Sequence, residues 1–124
     1  MNVELVAPDR MVWSGEAEMV IARTTDGDIG ILPGHEPTLG VLVPSTVRIR
    51  RDGHDELVAA VHGGFLSVTR DSVSVLAEVV ELAEDIDTSR ARQALERARS
   101  SDDEDAKAAE RRAAARLRTV GETV

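Results

Sequence analysis

Hydrophobic periodicity changes once along this chain, at Asp87, and the change limits what can be built on either side of it. Upstream, apolar and polar residues alternate over short stretches. Val3, Leu5 and Ala7 show this, as do Val47 and Ile49 between Arg48 and Arg50, and it is the period of strands with one buried face. Turn residues interrupt these stretches every 8 to 12 positions, a spacing that predicts a β-sandwich or barrel. Downstream, Gly and Pro vanish until Gly121, and apolar positions recur at helical spacing. The expected architecture is mainly β with an α appendage: a β-sandwich over residues 1–85, followed by an antiparallel helical hairpin over residues 86–124. With 124 residues, the chain can bury one main core but not two.

Further strands are predicted at residues 16–24, 56–61, 65–69, 73–78 and 80–82. Arg51-Asp52-Gly53-His54 carries an Asp-Gly hairpin signal, and Arg70-Asp71-Ser72 marks a second turn. Two glycine-rich runs, TDGDIGILPGHEP at 25–37 and HGGF at 62–65, read as tight turns joining strands. In the hairpin, helices are predicted at about 88–99 and 103–119. Asp87 or Thr88 is the first N-cap, and Ser101 and Glu104 have the spacing of a capping box. The first apolar stripe is Ala91, Ala94, Leu95 and Ala98; the second is Ala106, Ala109, Ala113, Leu117 and Val120. Alanine favours helix but offers little area to bury, so these helices should form readily and dock weakly.

Composition excludes several functions. Net charge is −8, and Trp13 and Phe65 are the only aromatics, which argues against nucleic acid: phosphate is repelled and stacking platforms are missing. No apolar run approaches the ~20 residues of a membrane-spanning helix, and Met1-Asn2-Val3-Glu4 lacks a basic segment followed by an apolar one. A soluble, cytoplasmic chain is expected. There is no cysteine, hence no disulfide and no thiolate chemistry. His35, His54 and His62 have no metal-ligand spacing, even with Glu36 and Asp55 nearby, and Ser67 lacks a nucleophile context; neither a metal site nor an enzyme is expected. Charge is uneven. Residues 1–86 carry 6 Lys/Arg against 15 Asp/Glu, and residues 87–124 carry 9 against 8. The basic residues are 14 Arg and one Lys, a bias that fits a GC-rich bacterial genome.

The order DGDIGILPGH (26–35), HGGF (62–65), the strand at 73–77 and Ile86-Asp87-Thr88-Ser89-Arg90-Ala91 resembles the epsilon subunit of bacterial F-type ATP synthases over essentially the whole chain. The resemblance implies a noncatalytic central-stalk rotor subunit of a proton-translocating complex, on the cytoplasmic face of the cell membrane. Its β-sandwich would be clamped to gamma and rest on the ring of c subunits. Its hairpin would lie folded on the sandwich or extend towards the catalytic alpha/beta head to restrain ATP hydrolysis. The runner-up is a stand-alone β-sandwich module for a nucleotide or small anion, with the helices as its lid.

The resemblance also nominates residues. Asp28, His35, Gly63 and Gly64 would form the surface towards the c ring and gamma. Asp87 and Arg90 match the Ile-Asp-x-x-Arg-Ala motif that contributes to a regulatory ATP site in some family members, with Glu81 and Arg97 as helpers outside the motif. Lys107, Arg111, Arg112, Arg116 and Arg118 give the second helix a basic surface that could approach the beta subunits. Each also has a plainer reading: Asp28 as a solvated turn residue, His35 as a loop brace bonded to backbone, Asp87 as an N-cap, and the arginines as a solvated face.

Overall fold

The computed structural model describes all 124 residues. Eight strands come first: β1 (Asn2–Ala7), β2 (Arg10–Glu16), β3 (Met19–Thr24), β4 (Gly27–Ile31), β5 (Thr38–Val41), β6 (Ser45–Arg50), β7 (Leu57–Val68) and β8 (Ser72–Leu82). A 3-10 turn at Ala83–Asp85 leads to helices α1 (Thr88–Arg99) and α2 (Glu104–Thr119).

Hydrogen bonding runs in the order β2-β1-β8-β7-β6-β3-β4, with β5 also on β7. Two long strands serve both layers of the sandwich. Residues 57–61 of β7 pair with β6, and residues 65–68 pair with β5. The first half of β8 pairs parallel to β1 while the whole strand runs antiparallel to β7. One layer is therefore β2-β1-β8-β7-β5 and the other β8-β7-β6-β3-β4. On one side a bridge from Thr24 to Leu42 stitches the end of β3 to the chain leaving β5. The core between the layers is aliphatic; Val3, Leu5, Val20, Ile49, Leu66 and Val75 are among its fully buried members.

The corner where β7 and β8 cross from one layer to the other explains the HGGF run. Inward positions on β7 are Ala59 and Val61 before the corner and Leu66 and Val68 after it; on β8 they are Val73, Val75 and Ala77, then Val80. Both strands change which parity faces the core, yet their pairing register is unbroken from Ala59–Leu82 to Val68–Val73. Gly63 and Gly64 make the change, with φ of +68° and +129°. A Cβ on Gly64 would overlap the carbonyl oxygen of Leu76, so the two strands approach this closely only with glycine there.

Several sequence expectations need correction. Gly63 and Gly64 lie inside one continuous strand and not in a loop, and residues 73–78 and 80–82 belong to a single strand. Asp28 is in β4 and not in a turn; Gly27, at φ +114°, supplies the turn before it. An edge strand with one paired side tolerates the glycines that made this segment read as loop. The predicted strand over 16–24 is divided between the end of β2 and β3. β2 and β5 were not anticipated, because Met11-Val12-Trp13 does not alternate and β5 is only 4 residues long.

Asp87 caps α1, accepting the Arg90 amide at 3.0 Å. The second cap is Asp103, which accepts the Ala106 amide at 2.7 Å; Ser101 instead donates to the Asp103 carboxylate, so the capping box drawn from Ser101 and Glu104 does not form. The two helices share a small cluster of Ala91, Leu95, Ala113, Ala114 and Leu117. Val120, Ala106 and Ala109 are only partly buried, while Ala115 and Thr119 are buried. Their face of α2 packs on β6 and β7. There the Thr119 hydroxyl donates to the Ala115 carbonyl at 2.7 Å and so accepts from Thr46 of β6, 2.9 Å away.

Candidate functional sites at the hairpin junction and on the open sheet face

Where the hairpin meets the sandwich, a cleft of about 320 Å³ is lined by Glu81, Asp85, Asp87, Arg90, Arg97 and Arg116, with apolar walls at Ile86, Ala91 and Ala94. Local structure positions each group. Asp87 is the helix cap, and Arg90 and Arg97 follow on α1 at positions that share one side. Glu81 ends β8, and Arg116 reaches in from α2. The motif pair and both helpers named from sequence are thus neighbours. Three arginines against three acids make the cleft nearly neutral, with the guanidinium groups available for charge-assisted bonds.

Glu81 is the junction's central group. Its Oε1 accepts from His62 Nε2 at 3.1 Å and from Arg116 Nε at 2.5 Å. The His62 hydrogen bond and then Arg116 hold this carboxyl at about 2, against the opposing effect of burial. Arg116 is therefore engaged in holding the hairpin down. Among the basic residues assigned to one surface of α2, it stands apart from Arg111, Arg112 and Arg118, which are exposed, and from Lys107, 3.9 Å from Glu104. In the sequence His62 stands out as part of the glycine run and as one of three histidines without metal-ligand spacing; the alternation of Ala59 and Val61 is the signal that its side chain turns outward.

The four residues nominated for the coupling surface come from separate elements, Asp28 from β4, His35 from the loop after it and the glycines from β7. Asp28 pairs with Arg23 across the β3–β4 ladder, Nε to Oδ1 at 2.7 Å, and this bond lowers its carboxyl below the ordinary range. It shares a pocket with Arg48 and Arg118. His35 Nδ1–H donates to the Glu36 carbonyl at 2.8 Å, bracing a loop that is tied at Gly34 to the β7–β8 turn through Arg70. The glycines are at the corner described above. His35, His54 and His62 converge with no acid into a metal-binding group.

The second site was not legible from sequence. On the outer face of the first layer, Val41, Phe65, Leu76, Val6 and Met11 stand in register, one from each of β5, β7, β8, β1 and β2. Phe65 is 51% exposed, Met11 51%, Val41 46% and Leu76 44%, with Leu39 beside them at 73%. A continuous apolar row across a sheet face, uncovered by the hairpin, is the form of a protein-binding surface.

Residues 1–83 match the family model for the β-sandwich domain of the ATP synthase delta/epsilon chain. This chain belongs to the ATP synthase delta/epsilon chain family. It is 58% identical over 120 residues to the ATP synthase epsilon chain of Streptomyces griseus, an alignment that covers 97% of this chain and 94% of that one. It is 52% identical over 122 residues to the epsilon chain of Mycobacterium avium, covering 98% and 95%. Among solved structures it resembles a chain of the Euglena gracilis mitochondrial ATP synthase, in an assembly of OSCP, F1 and c-ring, with TM-score 0.73, 27% identity and coverage of 96% and 76%. A chain of the Tetrahymena thermophila central stalk and c-ring shares the fold at 18% identity and TM-score 0.63. The family model accounts for the sandwich, and the alignments with the epsilon chains run on through the hairpin. No helix is long and apolar enough to cross a membrane.

Proposed function

We propose that this chain is the noncatalytic rotor subunit of a proton-translocating F-type ATP synthase, joining gamma to the c ring through its sandwich and modulating ATP hydrolysis through its hairpin. The carrying observation is the exposed apolar row of Val6, Met11, Val41, Phe65 and Leu76, offered here as the face that meets gamma. Burying it against a partner removes apolar side chains from water at about 25 cal/mol per Å², a driving force that a stand-alone module would leave unused. Asp28, His35 and the Gly63–Gly64 corner are assigned to the coupling surface towards the c ring and gamma. In this reading the subunit sits peripherally on the cytoplasmic face of the membrane.

The cleft is read as a regulatory ATP site, with Arg90, Arg97 and Arg116 for the phosphates. The three arginines and the polar lining support a phosphate-bearing ligand. Lys107, Arg111, Arg112 and Arg118 are assigned to the acidic parts of the beta subunits when the hairpin extends; Arg116 joins them only after leaving Glu81.

The test mixes the purified chain with gamma and the catalytic head of the same organism, then follows co-elution and ATPase rate. Co-elution with slower hydrolysis is expected. Phe65→Asp with Leu76→Asp should abolish co-elution while the chain stays folded. Equal association by that variant would remove the apolar row from the reading, and no association by the natural chain would overturn the rotor role.

A further inference from the structure

We propose that His62 makes docking of the hairpin proton-sensitive, so that protonation of its imidazole releases α2 from the sandwich. The inference rests on reading the hairpin as a mobile element and adds a regulatory input to the contact that holds it down.

His62 is only 4% exposed, on the outward side of β7 where α2 packs. Glu81, with its low pKa, is an ionised carboxylate that can only accept, so Nε2 of His62 carries the hydrogen in their bond. The neutral ring then has Nδ1 as a bare nitrogen, and that atom is buried with no partner. Adding a proton there creates a buried N–H with no acceptor. It also sets a second cation against Arg116, on the one carboxylate oxygen they share.

The surroundings differ when α2 is away. Water reaches Nδ1, Arg116 has gone with its helix, and Glu81 remains as an undivided counter-charge. Each difference favours the protonated ring in the undocked state, so by linkage a proton favours undocking. The groups facing the ring are Glu81 from β8 and Arg116 from α2. Arg90 and Arg97 of α1, with Asp85 and Asp87, line the cleft that Glu81 and Arg116 close. β7 itself carries no other charged residue. Imidazole is the side chain that titrates in the physiological range, which puts the transition where a cell's own acidification acts. His35 and His54 lie on loops outside this junction.

The chain has no cysteine, so Asp52→Cys on the sandwich and Gln93→Cys on α1, both exposed in the natural chain, give one pair of spin labels for distance measurement on the full chain. Between about pH 7.5 and 5.5 the docked-to-undocked ratio should fall about three- to tenfold, within the tenfold-per-unit limit for a single proton. His62→Gln, which keeps a donor for Glu81 but does not titrate, should give a flat profile. The ring resonances of His62, followed by NMR, should move in step with the label distance. A flat profile in the natural chain, an unchanged slope in His62→Gln, or ring titration without a change in distance would each overturn the proposal. Hydrolysis by the complex is a separate readout. If docking responds to pH in the isolated chain while hydrolysis ignores the hairpin, the brake role fails and the proton switch stands.

Discussion

The sandwich and the hairpin are held together by different means. The sandwich encloses 17 buried apolar residues between two layers that share their longest strands, whereas the helices share a cluster of 5, of which 3 are alanine. At the junction α2 packs on β6 and β7, with the Thr119 hydroxyl bonded to Thr46 and Arg116 bonded to Glu81, which His62 also contacts. A large apolar core unfolds as a unit, while a junction of small and polar groups can open by itself. Polar contacts tie the hairpin to the sandwich, and the sandwich core is enclosed without them.

The largest effect is expected at the glycine corner of the sandwich. Gly64→Ala forces a Cβ onto the Leu76 carbonyl at a φ of +129°, and should destabilise the sandwich by ~3 kcal/mol or more in a denaturant titration. A loss under 1 kcal/mol would mean that the two strands can part there. Leu5→Ala and Leu117→Ala sharpen the contrast. Both side chains are fully buried, and each truncation should cost ~2–5 kcal/mol of the contacts around it. Leu5→Ala should lower protection from hydrogen exchange everywhere, but Leu117→Ala should do so only in α1 and α2. Uniform loss in both would show one cooperative unit.

Arg116→Ala is the next smaller effect. Removing the cation from Glu81 should weaken docking by ~1–3 kcal/mol and speed amide exchange in α2 about fivefold or more, leaving β1 to β8 unchanged. Glu81 adds an acid limit of its own. Its carboxyl is held at about 2 first by the His62 hydrogen bond, which stays within the sandwich, and then by Arg116; the Arg116 share alone is tied to docking, so that support is present while the carboxyl is ionised and is lost as pH falls towards 2. Glu81→Gln should remove this loss from the label-distance profile. The smallest effect is expected at Asp28→Asn. The Arg23 pair is exposed, so unfolding midpoints should not move, and a measurable drop would reveal a contact beyond that pair.

Much of the fold was legible before any coordinates. Alternation marked the strands with one buried face, Asp87 marked the start of α1, and the alanine stripes predicted helices that form easily and pack thinly. Edge strands were not legible. β2 and β5 are half paired and carry exposed Met11, Leu39 and Val41, so they lack the alternation by which strands are found. The motif residues Asp87 and Arg90 were visible as letters, together with their helpers Glu81 and Arg97, because one turn of helix and the strand end before it are local. Arg116 was visible too, but as part of a basic face; its attachment to Glu81, 35 residues away, depends on how α2 lies across the sheet.

The change of region at Asp87, the cap of the first helix and the family were readable from the residues alone, because these rest on local periodicity and on motifs read in order. Tertiary structure alone decided that the HGGF run is a corner between layers, that five apolar residues from five strands align into one exposed row, and that His62 and Arg116 meet on a single oxygen of Glu81. Each of these requires a register between segments distant in the chain. That register is set by the packing of the whole core, which no short stretch of residues encodes.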